Sequence, residues 1–294
     1  MYESAFRTGF FLPSVYVILK QSESYIRKGA EMMEQNKNGQ QKNAPNAVIE
    51  QLLGRRTVRH FTGEPIDEEE RMWLERAAQQ AATSEYRNSW SAIRITDTVL
   101  AKKLAELGGQ PYIAEAALLY VFVADQNRNE KLALGMGDAA EDIELNSPYA
   151  LLQGVTDAVL AVSAMSTAAD SLGLGCVPLG SILNVPELIR LLKLPERVYP
   201  VLGLGIGHIA KAPAVKPRMP REAQFFENAY PEKTPEEWIS ELRDFNEQSG
   251  TYVDLRHPEQ TIPPYFDSIA RHAADKGPAK KSFVEPAREQ GYRI

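Results

Sequence analysis

Four segments of the 294-residue chain carry side chains able to grip or orient a ligand. The first is Arg55-Arg56-Thr57-Val58-Arg59-His60-Phe61. Guanidinium forks pair with phosphate oxygens two at a time, and a threonine hydroxyl adds a donor. A solvated basic turn is the plainer reading of such a cluster taken alone. The second is Lys216-Pro217-Arg218-Met219-Pro220. Its prolines hold the backbone extended, so Lys216 and Arg218 project to the same side as an anion clamp. The third runs Gly173-Leu174-Gly175-Cys176-Val177-Pro178-Leu179-Gly180-Ser181. Its glycines let a flat ligand approach the backbone and leave N–H groups free to meet it, though a helix stop followed by a strand explains them equally well. It lacks the strand-Gly-x-Gly-x-x-Gly-helix order of a dinucleotide fingerprint. The fourth is Gly108-Gly109-Gln110-Pro111-Tyr112, where the Gln110 amide can donate and accept against a pyrimidine-like edge, or where a helix is simply capped.

These segments need elements to position them. Asn46 to Gly54, with Val48, Leu52 and Leu53, reads as a short helix stopped by a glycine just ahead of the basic cluster. Asp67-Glu68-Glu69-Glu70 opens a second helix with a capping-box pattern and acid in the first turn, and Trp73, Leu74, Ala77, Ala78 and Ala81 form its apolar face. Ser91 to Thr96 alternates as a strand, and Thr98 to Leu107 reads as a helix stopped by Gly108-Gly109. Ala117 to Ala124 is almost wholly apolar, the mark of a strand covered on both faces. Tyr149 to Leu172 is the longest predicted helix; it is apolar on more than one side and belongs in a core or a dimer interface. Cys176 to Ile182 and Val198 to Ile206 read as strands, Pro235 to Gln248 and Tyr265 to Ala274 as helices. The alternation gives an α+β (α/β) class with helices packed on a central sheet.

Composition narrows the function. Apolar residues make up 44% and charged residues 24%, with a net charge of -6, so a sizeable core is affordable and no basic nucleic-acid surface stands out. The single cysteine, Cys176, excludes an internal disulfide and fits a reducing, cytoplasmic compartment. His60, His208, His257 and His272 show no zinc-ligand spacing, so no metal is expected. Gly9 to Leu19 is shorter than the roughly 20 apolar residues a spanning helix needs. Leu151 to Leu174 is interrupted by Gln153, Asp157 and Asp170 and reads as a buried helix of a soluble protein. Residues 1–44 read as an extension, with Glu34 to Pro45 as polar linker; Lys28-Gly29-Ala30 before Met32-Met33 suggests a purine-rich ribosome-binding stretch and a start at Met32 or Met33. Residues 45–294 form the folded domain, with a proline-rich C-terminal excursion from about residue 213.

In order and spacing, the segments Arg56 to Ile66, Ile93-Arg94-Ile95-Thr96-Asp97, Gly108-Gly109-Gln110, Ser171-Leu172-Gly173-Leu174-Gly175, Leu192-Lys193-Leu194-Pro195 and Lys216 to Pro220 resemble the oxygen-insensitive NADPH nitroreductases and related flavin reductases. The resemblance runs from about Asn46 to Tyr230 and fades beyond. It implies a nitroreductase-like fold with a mostly antiparallel sheet, an intertwined homodimer, and one FMN at each side of the interface. It further implies ping-pong two-electron transfer from NADPH or NADH to nitroaromatics, quinones or free flavin, with no protein nucleophile. By similarity Arg55, Arg56, Thr57 and Arg59 line the FMN phosphate and ribityl side, with Arg59 nearest the pyrimidine edge, where a cation stabilises the reduced ring. Lys216 and Arg218 complete the phosphate clamp, Gln110 meets the pyrimidine edge, and Leu179, Gly180 and Ser181 lie along the isoalloxazine. Thr83, Ser84 and Asn88 reach the FMN across the interface, and Arg256 is a candidate for the NADPH 2′-phosphate.

The chain departs from the family pattern in places. Glu85 and Arg87 are charged where the loop is usually serine-rich, Arg55 stands where histidine is common, Pro178 where tyrosine is, and Ser181 where glycine is. These changes bear on substrate preference more than on FMN binding. Three alternatives stand beside this reading: a reductive dehalogenase-type relative of the same fold, whose motifs around the first basic cluster typically differ, an FMN-binding or redox-sensing protein with little turnover, and a version tethered by Phe10 to Leu19.

Overall fold

The computed structural model describes residue 44 and residues 46–137, 144–274 and 283–294. The expectations for residues 1–43, the start site and the Phe10 to Leu19 tether among them, lie outside the described residues. The chain divides into two compact units, one built from the residues up to Lys211 together with the C-terminal segment, the other from Ala212 onward to the end of the last helix before that segment.

The first unit contains α1 (Ala47–Leu53), β1 (His60–Phe61), α2 (Glu68–Gln79), β2 (Trp90–Arg94), α3 (Thr98–Gly108), β3 (Leu118–Asp125), α4 (Asn127–Gly135), α5 (Pro148–Ser171), β4 (Gly175–Leu179), α6 (Val185–Leu192), β5 (Val198–Gly207) and β6 (Ile209–Lys211). Four strands form one sheet in the order β2-β3-β5-β4, every pair antiparallel, and β1 pairs with β6 apart from it. β3 is buried at every position, as its unbroken apolar run requires of a central strand. Tyr120 and Phe122 point into one layer with Leu74 of α2 and Ala158, Ala161, Val162 and Met165 of α5. Leu119, Val121 and Val123 point the other way, onto Leu104 of α3 and Leu188 of α6. The result is a helix–sheet–helix sandwich with α5 as the central helix of one face.

Local chemistry sets the element ends. The Asp67–Glu70 capping box forms in full, with the Glu70 N–H donating to Asp67 at 2.7 Å. Ser147 caps α5, receiving the Ala150 N–H at 3.1 Å, and Gly173 turns the chain out of α5 at φ 74°. Among the described residues α5 alone is long and apolar enough to cross a membrane, and over half of its most apolar window is buried within the protein. The C-terminal helix α10 (Val284–Glu289) packs Ala287, with Tyr292 beyond it, against Leu151, Val185 and Tyr199, and the Arg197 guanidinium donates to the Gly291 carbonyl at 2.5 Å.

The second unit holds α7 (Pro235–Glu241), α8 (Arg243–Ser249) and α9 (Tyr265–Ala274). One helix over Pro235 to Gln248 was expected; there are two, broken at Leu242, whose backbone leaves the helical range while its side chain turns inward. Asn246 and Ser249 of α8 each accept a backbone N–H from the start of α9, at 2.8 Å.

Candidate functional site

The basic cluster is placed by a helix and a strand. α1 is tied to α5 through the Gln51 amide, which donates to the Thr167 carbonyl at 2.9 Å. Beyond Gly54 the chain crosses the start of β4, where the Val58 N–H donates to the Cys176 carbonyl at 3.0 Å and the Val58 side chain is buried. The crossing is tight: a Cβ on Gly175 would lie 2.6 Å from the Cβ of Val58. Further on, the Thr62 N–H donates to the His208 carbonyl at 3.0 Å. Arg55 and Arg56 therefore hang over the C-terminal turn of α5, lining a cavity with Glu50, Asp170 and Leu174. Burial pushes the Asp170 carboxyl up to about 6, and the nearby charges of Arg55 and Arg56 oppose that shift. Burial likewise pushes the Cys176 thiol up to about 11, so it stays protonated and inert at neutral pH. Arg59 Nε and His60 Nε2, a few residues along the same loop, are buried with no hydrogen-bond partner among the described residues. Buried polar atoms normally have partners, so these two neighbouring nitrogens are available to a ligand.

The far end of β4 is different. Leu179 buries its side chain in the core, so only its backbone can face a ligand. Gly180 is exposed, with nothing near where a Cβ would stand. The Gly108-Gly109-Gln110 turn comes up beside it: a Cβ on Gly108 would lie 3.1 Å from Ser181 Oγ, and Gly109 adopts φ 61° to free Gln110 from the helix. The cationic loop and the glycine–amide end are thus joined by five residues of strand, roughly 16 Å.

Thr83, Ser84 and Asn88 sit elsewhere. Their loop is pinned by the fully buried Asp157 of α5, whose carboxylate accepts the N–H of Ser84 at 2.8 Å and of Ser89 at 3.1 Å. Asn129 holds the Arg87 carbonyl at 3.2 Å, and Arg128 holds that of Asn88. So braced, the loop keeps three non-glycine residues at positive φ: Glu85 (52°), Tyr86 (59°) and Asn88 (50°). Such strain persists only where surrounding contacts enforce it. Glu85 and Arg87, the two departures from the family pattern, pair with each other at 2.5 Å.

Lys216, Arg218 and Arg256 belong to the second unit. The Lys216 ammonium lies 4.8 Å from the centroid of the Tyr252 ring, and Arg218 donates to the Lys216 carbonyl at 3.0 Å. The Arg256 guanidinium is forked onto Asp254 at 3.0 and 2.5 Å. Within the first unit, then, the structure gathers Arg55, Arg56, Thr57 and Arg59 at one end of β4 and Gln110, Gly180 and Ser181 at the other, with Thr83, Ser84 and Asn88 on a separate loop.

Residues 52–208 match the nitroreductase family, and residues 216–294 match the C-terminal domain of the same family. The chain belongs to the nitroreductase family. Among curated members it is 36% identical to an FMN reductase [NAD(P)H] of Bacillus subtilis, over 77% of this chain and 91% of that one. It is 41% identical to an oxygen-insensitive NADPH nitroreductase of Salmonella typhimurium, over 62% and 74% respectively. Among solved family structures it superposes on the NfrA1 nitroreductase from Bacillus subtilis with a TM-score of 0.75 at 30% identity, covering 83% of this chain and 98% of that one.

Two residues that brace these segments, Asp157 and Asp170, belong to none of the four motifs. Both stood out only as charges interrupting an apolar helix. A carboxylate in such a helix is costly unless something uses it, and that cost was the available signal.

Proposed function

We propose that the chain is an FMN-dependent NAD(P)H oxidoreductase that reduces nitroaromatics, quinones or free flavin in two-electron steps. The observation that carries this reading is the pair of orphaned buried nitrogens on Arg59 and His60, in the segment that also brings Arg55 and Arg56 to one end of β4, with a bare glycine–amide surface at the other end. FMN has the same polarity, a phosphate at one end and a flat ring bearing hydrogen-bonding edges at the other. The residues therefore fit the cofactor, and relatives named as FMN reductases and NADPH nitroreductases support the same assignment.

When bound, FMN supplies the redox chemistry; the chain supplies grip, orientation and charge. Arg55, Arg56 and Thr57 hold the phosphate and ribityl side. Arg59 places a permanent cation by the pyrimidine edge, where negative charge gathers on reduction. Gln110 matches that edge with one donor and one acceptor. Leu179, Gly180 and Ser181 offer backbone to the ring, since no side chain intervenes at Gly180. The second unit brings cations of its own that suit phosphate groups, Lys216 and Arg218 for that of FMN and Arg256 for the 2′-phosphate of NADPH.

The working form is a homodimer. Thr83, Ser84 and Asn88 are held at Asp157, whereas the basic loop lies at Asp170 on the same helix, thirteen residues or roughly 20 Å further along. A second copy brings the two halves to one cofactor. An exposed apolar face supports it: Tyr149, Leu152, Val159 and Leu160 of α5 and Leu52 and Leu53 of α1 are all left open to solvent. With one buried thiol the protein suits a reducing, cytoplasmic compartment. Purified protein carrying about one FMN per chain as a dimer supports this reading; protein that neither carries nor takes up FMN contradicts it.

A further inference from the structure

We propose that Asp170 is a positioning residue for the anionic end of the cofactor: its carboxyl attracts Arg55 and Arg56 across the cavity they share, and it takes up a proton as a phosphate docks against them. This rests on the reading of Arg55 and Arg56 as phosphate ligands.

The geometry starts from α5. Asp170 sits in its last turn, immediately before Gly173 reverses the chain, and the Gly173 N–H is bound to the Asp170 carbonyl at 3.1 Å. The side chain is thus aimed from a fixed piece of backbone. Opposite it, the backbone that carries Arg55 and Arg56 is fixed at Val58, by the Val58–Cys176 hydrogen bond and by the Gly175–Val58 crossing. The Gln51–Thr167 bond closes the third side by fixing α1 on α5. Asp170, Arg55, Arg56 and Glu50 consequently share one cavity.

The charges in that cavity are finely set. Arg55 and Arg56 face Asp170 from the loop, Glu50 faces it from α1, and the Cys176 thiol lies behind it on β4. The carbonyl end of α5 adds partial negative charge. Desolvation opposes the ionised carboxylate, while the two arginines favour it. A phosphate brings about 1.5 to 2 negative charges at neutral pH and pairs with the same two guanidinium charges. It removes the attraction that kept Asp170 ionised and adds repulsion, so a proton from solvent moves onto the Asp170 carboxyl. Ligand binding and protonation are then linked: affinity falls as the pH rises through the range where Asp170 ionises.

The test compares apoprotein and its Asp170→Asn variant by flavin fluorescence quenching, with FMN and with riboflavin, which lacks the phosphate. The proposal predicts that FMN affinity of the native chain falls several-fold more than that of the variant between about pH 6 and about pH 8. It predicts no such difference for riboflavin. It also predicts a larger proton uptake on FMN binding by the native chain, read by calorimetry in buffers of different ionisation enthalpy. The contribution of the FMN phosphate itself is common to both proteins and cancels. Parallel pH profiles for native and variant protein overturn the proposal, even if both lose affinity equally, because a purely structural role has that signature. Asp170→Ser serves in the same comparison if the asparagine variant does not fold. The parent reading fails separately: it is lost if Arg55→Ala with Arg56→Ala leaves FMN affinity unchanged.

Discussion

Asp157 and Asp170 lie on one face-spanning helix, thirteen residues and roughly 20 Å apart, and each supports a different half of the site. Asp157 accepts two backbone N–H groups of the Ser84–Ser89 loop; Asp170 lines one cavity with Arg55 and Arg56. One rigid helix therefore sets the spacing between the Ser84–Ser89 loop and the Arg55–Arg56 cluster.

Replacing Asp157 with alanine leaves the Ser84 and Ser89 N–H groups without their acceptor. The expected loss is about 2 to 4 kcal/mol of stability, because the carboxylate is fully buried and both donors lose their partner. Faster amide exchange confined to residues 84–89, together with weaker FMN retention, is the expected pattern. Unchanged exchange in that loop contradicts the bracing role.

Gly175→Ala puts a methyl group into the Val58 side chain, where no rotamer of either residue makes space. Overpacking of this kind costs about 1 to 3 kcal/mol. Thermal unfolding should report it, and FMN affinity should fall with it, since the basic loop is held by that crossing. A stable variant with full affinity means the loop finds its place without the close contact.

The Asp170 carboxyl, pushed up to about 6 by burial, also sets a pH dependence of folding. The unfolded chain releases this proton near pH 4 and the native protein near pH 6. Between those values the native state binds more protons, so stability falls as the pH rises through the window and stays lower above it. In apoprotein, Asp170→Asn should remove this decline and gain on the order of 1 kcal/mol at pH 8. A native protein equally stable from pH 4 to pH 7 on this account, with an unchanged variant, contradicts it.

Arg59→Ala removes the cation assigned to the pyrimidine edge. FMN affinity should drop by about 10- to 100-fold, and the flavin midpoint potential should move lower, because the reduced ring loses its counter-charge. Spectroelectrochemical titration reads the second effect. Unchanged flavin content and potential refute the placement.

Arg256→Ala should raise the KM for NADPH well above any change for NADH if this side chain meets the 2′-phosphate. Its fork on Asp254 fixes the guanidinium plane in advance of any ligand. An equal effect on both nucleotides removes Arg256 from the site.

Much of the fold was legible because burial writes itself into composition. The unbroken apolar run of β3 and the all-round apolar face of α5 correspond to a strand covered on both sides and a helix in the core. The capping box at Asp67 was readable for the same local reason. The break at Leu242 was not, since no proline or glycine marks it; an inward pull on one side chain decides it. α6 was overlooked because its eight residues, Val185–Leu192, mix with the strand ends on either side. In the site, residue types announced the cations and the glycines. The crossing of Val58 over β4, the burial of the Leu179 side chain and the positive φ of Glu85, Tyr86 and Asn88 come from long-range contacts, which residue type alone does not encode.

The central claim is best tested by recording the visible spectrum of the purified protein, adding NADPH without oxygen, and then adding a nitroaromatic or a quinone. The account predicts a flavin spectrum that bleaches with NADPH and returns with the acceptor. A flavin spectrum that neither NADPH nor NADH bleaches, or a colourless protein that does not take up FMN, contradicts it.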